Sequence, residues 1–325
     1  MIRTAVSAEA AGFESVWQAE DPFGPDAISL LAAYAQATSS IRLGTALINI
    51  HTRHPAIIAA TFANLDQQSR GRMVLGIGTG LSWLQYVGLT AADIHPLADM
   101  TRAITLMRDI WSRDDPLFDD KPAYFWGRRS SLINAFNWPW GGFAMERQRI
   151  PIYVGARGPR MIELTAKMAD GLIVEHSVPI EIVHEWVARF ERAVHGAGRT
   201  RSEVETIGLV MLSVSADGAP DPSLFRYLAG LLARSNVAED ATRLALDPAL
   251  LERIKRLWKD GEEERAAKLV DRATLARFGA YGSVEECVER LAAYRTAGLD
   301  LPLIFPQACD LALVLAVGRR FADLA

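Results

Sequence analysis

Short apolar runs alternate with longer amphipathic segments along the whole chain. The runs at residues 14–19, 41–48, 72–80, 150–156, 171–177, 205–215 and 301–307 have the length and β-branched content of strands. Between them, apolar residues recur at helical spacing. Ile2, Val6, Ala10 and Phe13 define a first helix that Gly12 would stop. Asp26 is placed to cap a helix from 26 to about 40, and Pro55 and Gly71 bracket a helix in the favoured order. Further helices are expected at about 97–111, 159–169, 180–195 and 283–297, with a last one closing the chain.

Strands that are apolar on both faces and alternate with helices imply parallel βα units. No linker divides the 325 residues, and a barrel of roughly 250 residues or more can be one domain. The expected fold class is α/β, a TIM (β/α)8 barrel spanning residues 1–325, with an irregular insertion at about 112–149 and a helical one at about 220–278. Seven strands are counted, and the missing one would precede the first helix.

A net charge of −4 with no basic stripe argues against nucleic acid as a partner. Cys287 and Cys309 are too few for a disulfide framework. No apolar run approaches the ~18 residues of a membrane span, and Glu9 interrupts the region where a signal peptide needs its apolar core. The expectation is a cytoplasmic protein acting on a small organic molecule.

In such barrels function gathers at the C-terminal ends of the strands. Those ends offer Gln18, Glu20, Asp21, Ala46, Leu47, Asn49, Thr79, Gly80, Gly155, Arg157, Gly158, Glu175, His176, Ser213 and Gln307. Glycines and small polar groups dominate, which suits a large flat ligand held by backbone. The stretch GARGPRM (155–161) joins a strand to a helix. It reads either as a tight turn with solvated arginines or as a cradle in which helix N–H groups, Arg157 and Arg160 meet an anion. LGIGTG (75–80) lacks the third glycine of a dinucleotide fingerprint. His51 and His54 read as loop histidines rather than a metal pair, since no third ligand is near; no metal is expected. Trp83, Trp126, Trp138 and Trp140 lie in irregular stretches, as local packing or as an aromatic lid.

The segments AEAAGFESVW, IRLGTALIN followed by RHPAIIAATFANLDQQSRGRMVLGIGTG, IPIYVGARGPRMIELTAKMADGLIV and GSVEECVERLAAYRTAGLDLPLIF resemble the bacterial-luciferase-like superfamily. Within it they are most similar to the branch that uses the deazaflavin coenzyme F420, which includes methylenetetrahydromethanopterin reductase. The resemblance implies a barrel with a redox ring at the strand ends. It implies a non-prolyl cis peptide, Ala46–Leu47 here, behind that ring. It places Asn49 and Thr79, with Gly80, toward the ring or ribityl chain, and Gly155, Ala156, Arg157, Gly158 and Met161 along the phosphate-side turn, favouring the cradle.

The chain departs from that pattern where many relatives carry an Asp-His pair, since Glu20 and Asp21 stand there. Glu20 retains an acceptor for the ring. Leu81 occupies the place of the sugar-phosphate dehydrogenases' catalytic Glu, which argues against that substrate class. Asp21, Glu175 and His176 remain as candidate proton donors or acceptors. The leading expectation is hydride transfer between F420 and an organic substrate, in a homodimer. The alternatives are an FMN-dependent monooxygenase and a non-catalytic flavin-binding barrel.

Overall fold

The computed structural model describes residues 1–325 apart from 22, 81–83, 85–86, 112–144, 148, 235–243, 245, 308 and 325. The chain divides into two compact units, one of Met1–Glu9, Glu14–Gly155 and Lys167–Gly171, the other of Ala10–Phe13, Ala156–Ala166 and Leu172–Ala325.

The first unit begins with α1 (Ile2–Ala10) and β1 (Ser15–Gln18). Asp26 accepts from Ser29 N at 2.7 Å and so opens α2 (Ala27–Ala37). There follow β2 (Arg42–Thr45), β3 (Ile48–Asn49), α3 (Pro55–Ser69), β4 (Met73–Gly78), α4 (Pro96–Trp111) and β5 (Ile152–Gly155). The strands run in the order β1-β2-β4-β5, with β3 also beside β4, and every pairing with a defined register is parallel. All six residues of β4 are buried, as expected of a strand covered on both faces. Pro55 stands in the first turn of α3, and the left-handed Arg70 (φ 58°) and Gly71 (φ 78°) end it.

Two side chains tie the helix ends to the sheet. Arg72 donates to Ser69 O, Ala35 O, Thr38 O, Thr38 Oγ1 and Ile41 O, gathering terminal carbonyls of α2 and α3. Asp66, fully buried in α3, accepts from Met73 N at 3.1 Å and from Arg147 Nε and Nη2 at 3.0 and 2.8 Å.

The single strand expected at 41–48 is broken. Its pairing with β4 matches Gly44 to Val74 before the break and Ile48 to Ile77 after it, so β2–β3 carries one residue more than β4. That is a bulge. The Ala46–Leu47 peptide within it is cis, as the resemblance implies. Thr45 Oγ1 spans the interruption, donating to Gly76 O at 2.8 Å and accepting from Gly76 N at 2.9 Å.

The second unit contains most of α5 (Pro159–Met168) and of β6 (Gly171–Val174), then α6 (Ile180–Gly196) and the ten-residue β7 (Glu205–Val214). The helical insertion follows as α7 (Pro222–Ala233), α8 (Pro248–Lys259), α9 (Glu263–Ala267) and α10 (Arg272–Ala276). The chain ends with β8 (Gly279–Gly282), α11 (Val284–Thr296), β9 (Leu301–Pro306) and α12 (Leu311–Ala322). The lower part of β7, Ile207–Leu212, pairs with β9, and its upper part, Met211–Val214, pairs with β8. Sequence reading missed β8 because Gly-Ala-Tyr-Gly has neither an apolar run nor alternation. The insertion helices bury Leu224, Leu228, Leu251 and Ile254 together with Met211 of β7 and Phe278, a satellite core of their own. α11 starts with a capping box of Ser283 and Glu286, which explains the sharp boundary seen in the sequence.

Candidate functional site

In the first unit, the residues that follow β1 are held by one arginine. Arg53 Nε donates to Glu20 Oε1 at 2.5 Å, and its Nη2 donates to Asp26. Glu20 Oε2 is buried and has no hydrogen-bond partner among the described residues. A buried carboxylate oxygen without a donor is costly unless a ligand or water supplies one. Asp21, by contrast, uses its carboxylate locally, accepting from Phe23 N at 2.8 Å, while its carbonyl accepts from Gly24 N.

At the end of β3, Asn49 is buried. Its Oδ1 accepts from His51 N at 2.8 Å and its Nδ2 donates to Gly80 O at 3.3 Å. The His51 ring bridges Thr79 O, 3.3 Å from Nδ1, and Asp99 Oδ2, 3.1 Å from Nε2. Burial acts to raise the Asp99 carboxyl, but hydrogen bonds from His95 N, His51 and Arg102 outweigh it and hold it below its ordinary range. Leu47, after the cis bond, lays its side chain over two glycines. A Cβ on Gly78 would lie 2.7 Å from Leu47 Cδ1, and one on Gly155 2.3 Å from Leu47 Cδ2. The missing side chain of Gly155 makes room for Leu47.

In the second unit, Ala156 N donates to Ile173 O at 3.4 Å, and Gly158 O accepts from Met161 N and Ile162 N as α5 begins. A Cβ on Gly158 would meet nothing within 4 Å, so the space above this glycine is open. Arg157 and Arg160 are exposed beside it, and Arg157 Nη1 lies 3.5 Å from Glu175, both partners well solvated. Such a pair is weak and leaves Arg157 available to an anion. His176, half-buried, has its proton affinity lowered by burial, against the opposing charge of Glu175. It is a neutral imidazole at neutral pH, a better acceptor than acid.

The sequence profile of a family described as luciferase-like monooxygenase matches residues 1–301. The chain belongs to this luciferase-like family of oxidoreductases. A putative coenzyme F420-dependent oxidoreductase of Mycobacterium tuberculosis is 27% identical over 312 residues, covering 92% of this chain and 88% of that one. The 5,10-methylenetetrahydromethanopterin reductase of Archaeoglobus fulgidus is 26% identical over 304 residues, with 90% and 85% covered. Among solved structures, the coenzyme F420 dependent tetrahydromethanopterin reductase of Methanopyrus kandleri superposes with a TM-score of 0.79 at 22% identity, covering 99% of this chain and 94% of that one. The fold is the expected luciferase-like α/β TIM-barrel class.

The first unit thus brings Asn49 to Gly80 directly and to Thr79 through His51, and sets Leu47 against Gly155; Glu20 belongs to a separate network with Arg53 and Asp26, while Asp21 bonds only within its own turn. The second unit brings Arg157 to Glu175, with His176 next in the chain. The His51–Asp99 pair escaped sequence reading because 48 residues separate its members. The signal available was a histidine two residues after Asn49, at a strand end. His54 has a different job, accepting from Ala56 N to cap α3. Leu81, Trp83, Trp126, Trp138 and Trp140 lie outside the described residues. No group of three metal-ligating side chains and no helix long and apolar enough to cross a membrane occurs among the described residues.

Proposed function

We propose that this protein is an F420-dependent oxidoreductase that moves hydride between the deazaflavin and a small organic substrate. The observation that carries the reading is Glu20 Oε2, a buried acceptor with no donor among the described residues, whose sister oxygen is already neutralised by Arg53. An N–H on the edge of a flavin-type ring would supply the missing hydrogen bond. The donor set fits such a group: in the first unit Glu20, Asn49, Thr79 and Gly80 would face the ring, with Ala46 and Leu47 behind it. In the second, Ala156, Arg157, Gly158 and Met161 form an open, positively charged turn suited to an anionic group, with Gly155 preceding it.

When bound, the deazaflavin supplies the carbon that accepts or gives hydride; the protein's own work is orientation, a dry face and proton management. Asp21, Glu175 and His176 are the candidates for the last task. We read the assembly as a cytoplasmic homodimer, for which sedimentation of the purified protein is the check. The deciding experiment is titration of the protein with oxidised F420 and, separately, with FMN, followed by fluorescence. Saturable F420 binding is expected. Tight FMN binding without F420 binding would favour the monooxygenase alternative and overturn the proposal.

A further inference from the structure

His51 joins three segments of the first unit, and both of its ring nitrogens meet acceptors. Nδ1 lies 3.3 Å from Thr79 O, just past β4, and Nε2 lies 3.1 Å from Asp99 Oδ2 in the first turn of α4. A carbonyl oxygen never donates, and a carboxylate donates only when protonated. Asp99 is held ionised: His95 N reaches Oδ2 at 2.7 Å, Arg102 binds Oδ1, and the start of α4 favours negative charge. A neutral imidazole has one N–H and serves one of the two acceptors; at the other end two lone pairs would face each other. Only the imidazolium satisfies both. The side chains of His51 and Asp99 are 11% and 15% exposed, so water has little room to replace either bond. The titratable groups around the ring are Asp99 and Arg102 of α4, with His95 just before that helix. On its own loop Arg53 turns to Glu20 and Asp26, and His54 turns to Ala56 N. The end of β4 presents only Thr79 and Gly80 among the described residues.

The ring thereby sets a peptide plane. Thr79 O belongs to the Thr79–Gly80 peptide, and in a trans peptide the N–H points opposite to the carbonyl. With Thr79 O turned to His51, Gly80 N–H faces the other way, and it has no hydrogen-bond partner among the described residues. The next carbonyl, Gly80 O, is pinned by Asn49 Nδ2 at 3.3 Å, while Asn49 Oδ1 accepts from His51 N at 2.8 Å. The ring and the main chain of His51 therefore hold this turn from both ends. We infer that His51 is a positioning residue of the cofactor site: as an imidazolium donating to Thr79 O and to Asp99, it fixes the Thr79–Gly80 peptide with its N–H presented to the ligand. The inference rests on the deazaflavin reading above and adds to it a charged residue that works from behind the wall, touching no reacting atom. When the second proton leaves, a lone pair on Nδ1 faces Thr79 O and the peptide is released. Cofactor binding is thus coupled to a proton on a side chain that the cofactor does not touch.

The test uses the full chain. Nitrogen NMR of the histidine-labelled, cofactor-free protein is expected to show both His51 ring nitrogens protonated, and to mark the pH at which the second proton leaves. Loss of the signal in His51→Gln or His51→Phe assigns it. Titration with oxidised F420 is then read in wild type and both variants on either side of that pH. Gln donates from a single nitrogen and Phe keeps the shape without a donor, so neither can serve both acceptors. On the acid side their affinity is expected to lie about tenfold below that of wild type, the worth of one hydrogen bond to a charged group. On the alkaline side the affinities should converge, because wild type has then lost the same bond. The ratio cancels any titration of the cofactor itself. A ring with one proton wherever the protein is folded, variants that bind as wild type does, or a ratio that stays constant as the second proton leaves overturns the inference while the cofactor reading stands. Failure of the wild-type protein to bind F420 overturns the cofactor reading and the inference with it.

Discussion

Asp66→Ala isolates the buried carboxylate that joins α3 to β4. The side chain is inaccessible to solvent, and the change removes the acceptor of Met73 N and of two Arg147 nitrogens. Breaking a buried ion pair from one side costs about 3–5 kcal/mol. Two details place this case at the lower end. Arg147 is about a third exposed and keeps its bond to Met73 O, so water can reach the guanidinium. Alanine is also the better helix former, by about 0.5 kcal/mol. A net loss of about 3 kcal/mol is expected, which corresponds to a fall in Tm of about 6–12 °C for a cooperative unit of roughly 150–250 residues. The assay is thermal unfolding followed by circular dichroism, with Arg147→Met and the double variant completing a cycle. A loss below about 1 kcal/mol, or strictly additive single effects, would refute the reasoning.

Gly158→Val should leave stability within about 0.5 kcal/mol, since nothing occupies the space, yet weaken F420 binding at least about tenfold, read by titration. Gly155→Ala should do the reverse first, losing about 1–3 kcal/mol of stability in urea unfolding because its methyl collides with Leu47. Glu20→Gln removes the buried charge while keeping the shape, and should reduce F420 affinity without changing the secondary-structure spectrum. Glu9 accepts from Ser40, Ile41 and Ser39 N–H groups, Ser40 foremost, which holds its carboxyl at about 2 against an ordinary 4.5. A lowered folded-state value contributes stability above the unfolded value and loses it as pH falls through the folded one. Wild type and Glu9→Gln should therefore differ in urea midpoint near neutrality and converge as pH approaches about 2.

The alternation of strands and helices was legible because buried parallel strands and amphipathic helices leave distinct periods. Caps at Asp26 and Ser283 and the Pro55–Gly71 bracket fixed boundaries locally. The bulge at Ala46–Leu47 was available only through resemblance, since nothing in GTALIN breaks the strand pattern. What stayed hidden depends on distance along the chain. The occupant of the space over Gly155 is Leu47, and the partner of His51 is Asp99; neither relation leaves a local trace. The four-residue β8 is set by its ladder to β7 rather than by its own composition.

That ladder has an evolutionary consequence. The excursion after β7 departs at Val214 and returns at Gly279, which stands opposite Met211 in the same strand. Its two feet stand on neighbouring strands three residues apart, and the helices above them pack among themselves and onto Met211 of the strand. Material far from Met211 can be lengthened, trimmed or exchanged between those feet with little entropic penalty, which makes this a natural grafting point of the chain.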